Sequence, residues 1–110
     1  MPDYKYRSVG LELTTANQDA YTAPPQWNAE VTSILVSNML GSPVTVSMDW
    51  YDSLNTTYYT MLENVSIPAY GIFQLTDSLH LSKNDKIRAL CSMNTAVTLT
   101  VRTSEYKSTL

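Results

Sequence analysis

Cysteine occurs once in this sequence, at Cys91, so no disulfide can close within the chain. Histidine also occurs once, at His80. One cysteine and one histidine, far apart, leave a zinc site short of ligands. Three glycines give no phosphate-cradling loop, and no Gly-x-Ser-x-Gly elbow is present. No apolar run approaches the ~18 residues of a membrane span, so no membrane partner is expected. The opening Met-Pro-Asp-Tyr-Lys-Tyr lacks the apolar core of a signal peptide, and the chain is expected to stay where it is made. Charge is scarce too: 15% of residues, against about 25% in an average protein. The seven basic residues are scattered and the net charge is −3, which argues against a nucleic-acid partner.

What remains is polar without being charged. Thr, Ser, Asn and Tyr supply the hydrophilic positions, and 44% of residues are apolar. A chain of 110 residues is one domain, able to bury a core but shallow for an enclosed active site.

The clearest pattern lies between Glu30 and Asp52. A β-rich run around Ile34, Leu35 and Val36 meets the breakers Asn38, Gly41, Ser42 and Pro43. Strict alternation follows, with Val44, Val46, Met48 and Trp50 on one side and Thr45, Ser47, Asp49 and Tyr51 on the other. Period two with β-branched residues predicts a strand with one buried face. Val97, Leu99 and Val101 alternate with Thr98, Thr100 and Arg102 in the same way. Further short runs are Tyr58 to Leu62, Val65 to Ile67, Ile72 to Leu75 and Lys86 to Met93, the last with Ile87, Ala89, Cys91 and Met93 on one face. Gln26 to Met39 is long for a strand and predicts a bulge. Pro68-Ala69-Tyr70-Gly71 reads as a turn, with Gly71 free to take positive φ.

Short strands between regular turn signals predict an all-β fold: a two-sheet antiparallel β-sandwich of jelly-roll or Greek-key type, with about 7–8 strands. Residues 1–23 read as an N-terminal arm or a first strand, 24–105 as the sandwich core, and 106–110 as a C-terminal tail. The arm, anchored by Tyr4 and Tyr6, is expected to contact an adjacent copy or a larger shell.

No catalytic signature emerges, and the chain is not expected to be an enzyme or to hold a metal or cofactor. Asp49 and Asp52 fall on opposite faces of a strand and would not pair as acid and base. Cys91 shares its face with Ile87 and Ala89 and reads as a small core residue rather than a nucleophile for His80. The sequons Asn55-Thr56-Thr57 and Asn64-Val65-Ser66 read as chance matches. Eight tyrosines are too many for so small a core. Tyr4, Tyr6, Tyr58 and Tyr59 are therefore the candidate protein-interface residues. A rival reading uses Trp27, Trp50, Tyr58 or Tyr59 as the stacking platform of a carbohydrate-binding module.

Several segments carry a family resemblance. They are the Tyr-Thr-Ala-Pro-Pro entry, the Ile-Leu-Val-Ser-Asn strand, Val-Thr-Val-Ser-Met-Asp-Trp-Tyr-Asp and Tyr-Tyr-Thr-Met-Leu-Glu-Asn-Val-Ser-Ile-Pro. Leu-x-Leu-x-x-x-Asp-x-Ile from Leu79 to Ile87 and a closing Val-Thr-Leu-Thr-Val-Arg-Thr-Ser-Glu complete the set. From about Ala20 to Glu105 the chain resembles small β-sandwich auxiliary virion proteins of tailed bacteriophages, the head decoration or head–tail neck subunits. Similar chains often have Gly where this one has Asn84, a residue that also tolerates left-handed backbone. The resemblance implies a structural homo-oligomer localised to the virion and assembled in the host cytoplasm. Its implied partners are other virion proteins, the major capsid or neck and portal-associated proteins.

Overall fold

The structure, a computed structural model, describes residues 4–107. Nine strands follow one another: β1 (Tyr4–Glu12), β2 (Gln18–Thr22), β3 (Trp27–Asn38), β4 (Val44–Asp52), β5 (Thr57–Ile67), β6 (Ile72–Leu75), β7 (Leu79–Leu81), β8 (Lys86–Cys91) and β9 (Val97–Lys107). One sheet has the order β1-β9-β3-β6, with β7 also on β3; the other has β2-β8-β4-β5. Both β6 and β7 lie on the same edge of β3, pairing with Ile34 to Ser37 and with Ala29 to Val31. Taken as one interrupted strand, they reduce the count to eight and give two four-stranded antiparallel sheets. Each sheet alternates early and late strands, which is jelly-roll connectivity.

The predicted alternation is what builds the core. Val44, Val46 and Met48 of β4 are buried, while Thr45 and Ser47 are half-buried. In β9, Val97, Leu99 and Val101 are buried and Thr98 and Thr100 are less so. Ile34 and Val36 of β3 and Ile87, Ala89 and Cys91 of β8 complete the filling between the sheets. The register of β3 shifts between Val31 and Ser33, so this long strand does contain an irregularity.

Several expectations are corrected. Tyr4–Glu12 is a strand of the chain's own sheet, paired with β9 along its whole length. Leu13, Ala20, Tyr21 and Ala23 are buried, so of the two readings of residues 1–23, arm or first strand, residues 4–23 follow the second, and residues 1–3 lie outside the described residues. Of the predicted tail at 106–110, Tyr106 and Lys107 belong to β9, and residues 108–110 lie outside the described residues. Tyr58–Leu62 and Val65–Ile67 form one strand, with left-handed backbone at Asn64 (φ 49°) marking the irregularity between them. Met93 lies beyond β8 and is exposed. In the Pro68 turn the positive φ falls on Tyr70 (54°), not on Gly71. Gly71 closes the turn by donating its N–H to Pro68 O at 2.8 Å, and a Cβ there would lie 3.0 Å from that oxygen. Asn84 does sit in left-handed backbone, at φ 69°.

Candidate interaction surface

Tyr4 and Tyr6 point to the same outer face of the first sheet, where strand periodicity places residues two apart. Their rings meet edge to face at 6.2 Å, and they are 56% and 79% exposed. Pairing sets Tyr4 opposite Tyr106 and Tyr6 opposite Ser104, and Ser104 opposite Glu30. Across the next strand, Glu30 faces His80. A carboxylate only accepts, so the 2.8 Å contact is His80 Nδ1–H donating to Glu30 Oε1. Tyr106 Oη lies 3.3 Å from the same nitrogen. Burial, and then the Glu30 charge, raise the Tyr106 pKa. The result is one outer face carrying Tyr4, Tyr6, Tyr106, His80 and Glu30.

Tyr58 and Tyr59 do not act together, because they are adjacent on a strand and face opposite ways. Tyr58 lies on the outer face of the second sheet against Tyr51, with ring centroids 4.7 Å apart. Arg88 lies 3.5 Å over the Tyr58 ring and donates from Nε to Asp49 Oδ2 at 2.8 Å. Lys86 sits 5.1 Å over Tyr51. Tyr59 stacks on Trp50 at 5.3 Å. Since β1 and β5 belong to different sheets and are edge strands, the four tyrosines do not form one surface.

A wide cavity of about 620 Å³ opens at the end of the sandwich where the β4–β5 and β7–β8 turns meet. Trp50, Asp52, Leu54, His80, Lys83 and Asp85 are among the residues that line it. Its carboxylates are occupied by backbone and side-chain donors of the turns. Asp85 accepts from Ser53 N–H (2.8 Å), the Ser53 hydroxyl (2.7 Å) and Ser82 N–H (3.0 Å). Asp52 accepts from Leu54 N–H and the Asn55 amide. They pin two turns together and leave no paired acid and base. Among the described residues, no three of His, Cys, Asp or Glu cluster to hold a metal. Among the same residues, no helix is long and apolar enough to cross a membrane.

Cys91 is buried between the sheets, and its thiol donates to Met93 O at 2.9 Å. His80 and Glu30 are both well exposed, so their ion pair is a surface one. Substituting His80→Ala is expected to shift unfolding in urea by less than about 1 kcal/mol. A larger loss would mean that the pair helps to hold β7 on β3.

Sequence reasoning missed a second set of exposed apolar residues: Met39, Tyr70, Ile72 and Met93, each at least half exposed. Met39 was assigned to a strand and Met93 to a buried face. The signal that finds them is the absence of any charged residue in the turns that carry them.

No family model matches the chain, and no curated protein matches it in sequence. Solved structures do match in fold. The capsid of Helicobacter pylori bacteriophage KHP30 has a chain with a TM-score of 0.55 and 11% identity, covering 94% of this chain and 86% of that one. A pilus subunit of Bacillus endospore appendages gives 0.55 at 15% identity, with 96% and 88% covered. The virus-like particle of the extra small virus of the prawn Macrobrachium rosenbergii gives 0.52 at 8% identity, with 97% and 80% covered. At such identities the likeness is one of fold alone. In fold, this chain is a two-sheet jelly-roll β-sandwich, an architecture shared by all three.

Proposed function

We propose that this chain is a non-enzymatic structural subunit of a tailed-phage virion. It binds the capsid shell or the head–tail neck in multiple copies, as a decoration (cement) or adaptor protein. The observation that carries this reading is the jelly-roll strand order, matched in fold by a phage capsid chain, on a sequence patterned like auxiliary virion proteins. The surface supports it as well. The cavity's carboxylates are committed to donors of their own turns, while exposed tyrosines stand on an outer sheet face. Such a molecule offers area for packing rather than groups for chemistry. Its partners are the major capsid or neck and portal-associated proteins, and further copies of itself.

A carbohydrate platform would need open, coplanar ring faces. Lys5 lies 4.5 Å over Trp27, Arg88 covers Tyr58, and Trp50 and Tyr59 stack on each other. That reading therefore stands second.

The test is a double substitution, Tyr4→Ser with Tyr6→Ser, in a particle-binding assay. Both side chains are exposed, so stability should move by no more than about 0.5–1 kcal/mol. Binding to particles should fall at least about tenfold, the loss of about 1.4 kcal/mol. Normal binding by this variant would remove the two tyrosines as anchors. Binding of the wild-type chain to polysaccharide and not to particles would favour the carbohydrate reading.

A further inference from the structure

β1 lies at the edge of its sheet, and β9 is its one neighbour there. None of its nine residues is buried; Val9 and Leu11 are half-buried and the others are exposed. The edge strand β2 of the other sheet, by contrast, buries Ala20 and Tyr21. Two of the inward positions of β1 are the cations Lys5 and Arg7, opposite Glu105 and Thr103, and both stay exposed. What fixes the strand is its antiparallel pairing with β9, in unbroken register from Tyr4 with Tyr106 to Glu12 with Thr98. A segment held by backbone pairing, with little apolar surface out of water, opens at lower cost than the core.

Opening has a defined stop. Leu13 is fully buried; its N–H donates to Val97 O (2.9 Å) and its carbonyl accepts from Thr95 N–H (3.1 Å). Residues 4–12 can therefore leave while the chain from Leu13 onward keeps its place. The edge of β9 that they cover is selective. In the closed sheet, Glu105 is completely buried and one of its oxygens has no hydrogen bond. Lys5 Nζ lies 3.6 Å from that oxygen and 4.5 Å over the Trp27 ring. The edge thus calls for a strand that sets a cation opposite Glu105, and such a charge fixes partner and register more than it adds affinity.

We propose that β1 is exchanged between copies: it leaves its own β9 and pairs, in the same register, with β9 of a second copy. The occupant is fixed by the pairing already present. A second copy offers the same strand, with the same Lys5 to set opposite Glu105. Exchange keeps every contact of β1 and only moves it to another molecule, which makes it a low-cost route to association. Charge favours the transfer, because β1 carries Lys5 and Arg7 against one acid, Glu12, on a chain of net charge −3. The chain's own strand competes at an effective concentration of order millimolar. Exchange is therefore rare in dilute solution and becomes competitive where copies are concentrated or held side by side. It is a property of the isolated chain, so its failure would leave the proposed virion role standing, and failure of that role would leave exchange standing.

Disulfide trapping between two differently substituted chains tests this. Ser8 and Arg102 are exposed partners across β1 and β9, and a disulfide between cysteines there needs the two strands paired. The native Cys91 is buried. Ser8→Cys and Arg102→Cys chains are mixed in equal amounts at roughly millimolar concentration and oxidised mildly. Mass spectrometry without reductant should then show a mixed species of twice the 12.3 kDa chain mass. Ser8→Cys mixed with Thr98→Cys, whose partner in the register is Glu12, should give far less. An excess of a peptide with the sequence of residues 4–12 should suppress the mixed species, and the same peptide carrying Lys5→Glu should suppress it less. Tyr6→Cys with Ser104→Cys gives an independent pair should Arg102→Cys impair folding. Absence of a mixed species from both pairs overturns the proposal. So do equal yields in and out of register, or equal suppression by the two peptides.

Discussion

Asn38→Asp is expected to leave the chain largely unfolded at neutral pH. Asn38 is 2% exposed at the end of β3. Its amide NH₂ serves Ser42 O (2.9 Å), Pro68 O (2.9 Å) and Ile67 O (3.2 Å), and its carbonyl accepts from Leu40 N–H (2.9 Å). One side chain thus fastens the β3–β4 connection to the end of β5. Aspartate has the same shape but only acceptors at neutral pH. A buried charge would face three carbonyl oxygens that had lost their donor. Each unpaired buried group costs about 1–3 kcal/mol, and the charge adds more. The sum is comparable to the whole stability of a small domain, about 5–15 kcal/mol. Asn38→Ala should be milder, because it orphans the same groups without adding charge. Urea unfolding followed by tryptophan fluorescence checks both. A midpoint for Asn38→Asp close to wild type would show that the side chain does not hold these turns.

Tyr21→Phe is expected to cost about 2 to 4 kcal/mol, although it removes a single oxygen. Glu105 is completely buried on the inner face of β9. The Tyr21 hydroxyl, from β2 of the opposite sheet, donates to its Oε2. The other oxygen has no hydrogen bond, and Lys5 Nζ lies 3.6 Å away on a half-exposed side chain. Solvent screens that ion pair, so the hydroxyl is the main support of the carboxylate. Burial, and then the hydrogen bond to Glu105, push the Tyr21 pKa well above the usual tyrosine range. The unfolded chain's tyrosine titrates near about pH 10. Its contribution is therefore whole below pH ~10 and is lost as pH rises toward the folded value. The wild-type chain should lose stability steeply above pH ~10, and Tyr21→Phe should flatten most of that slope. Tyr106 and Lys86, both also raised, leave a residual slope. An identical alkaline profile in both proteins would contradict this role for Tyr21.

The same two residues show where sequence stops being legible. The alternation of β4 and β9 was readable because each inward position holds an apolar side chain down to Val101. Beyond it the inward positions are Thr103 and Glu105, and a Glu at such a position reads as solvent-facing. Its partner Tyr21 is 84 residues away, beyond the reach of any local pattern. The Pro68 turn was legible as a turn, but not which residue takes the positive φ. That is decided by Gly71, whose missing side chain lets the backbone close on Pro68. Tyr4 and Tyr6 were readable as an exposed pair from their spacing. Tyr58 and Tyr59 were separable as well, because the run from Tyr58 to Leu62 read as a strand, which turns neighbours to opposite faces. The exposed Met39, Tyr70, Ile72 and Met93 come from segments far apart in sequence, and a local pattern does not show that the jelly-roll connectivity brings those segments to one end.

Counting copies of this chain in purified virus particles tests the virion role most directly. Quantitative mass spectrometry against the major capsid protein supplies the count. A structural subunit should be present at a fixed multiple set by the symmetry of the shell or the neck, unchanged between preparations and through a salt wash. Absence of the chain from particles, or an amount that varies from one preparation to the next, would contradict that role.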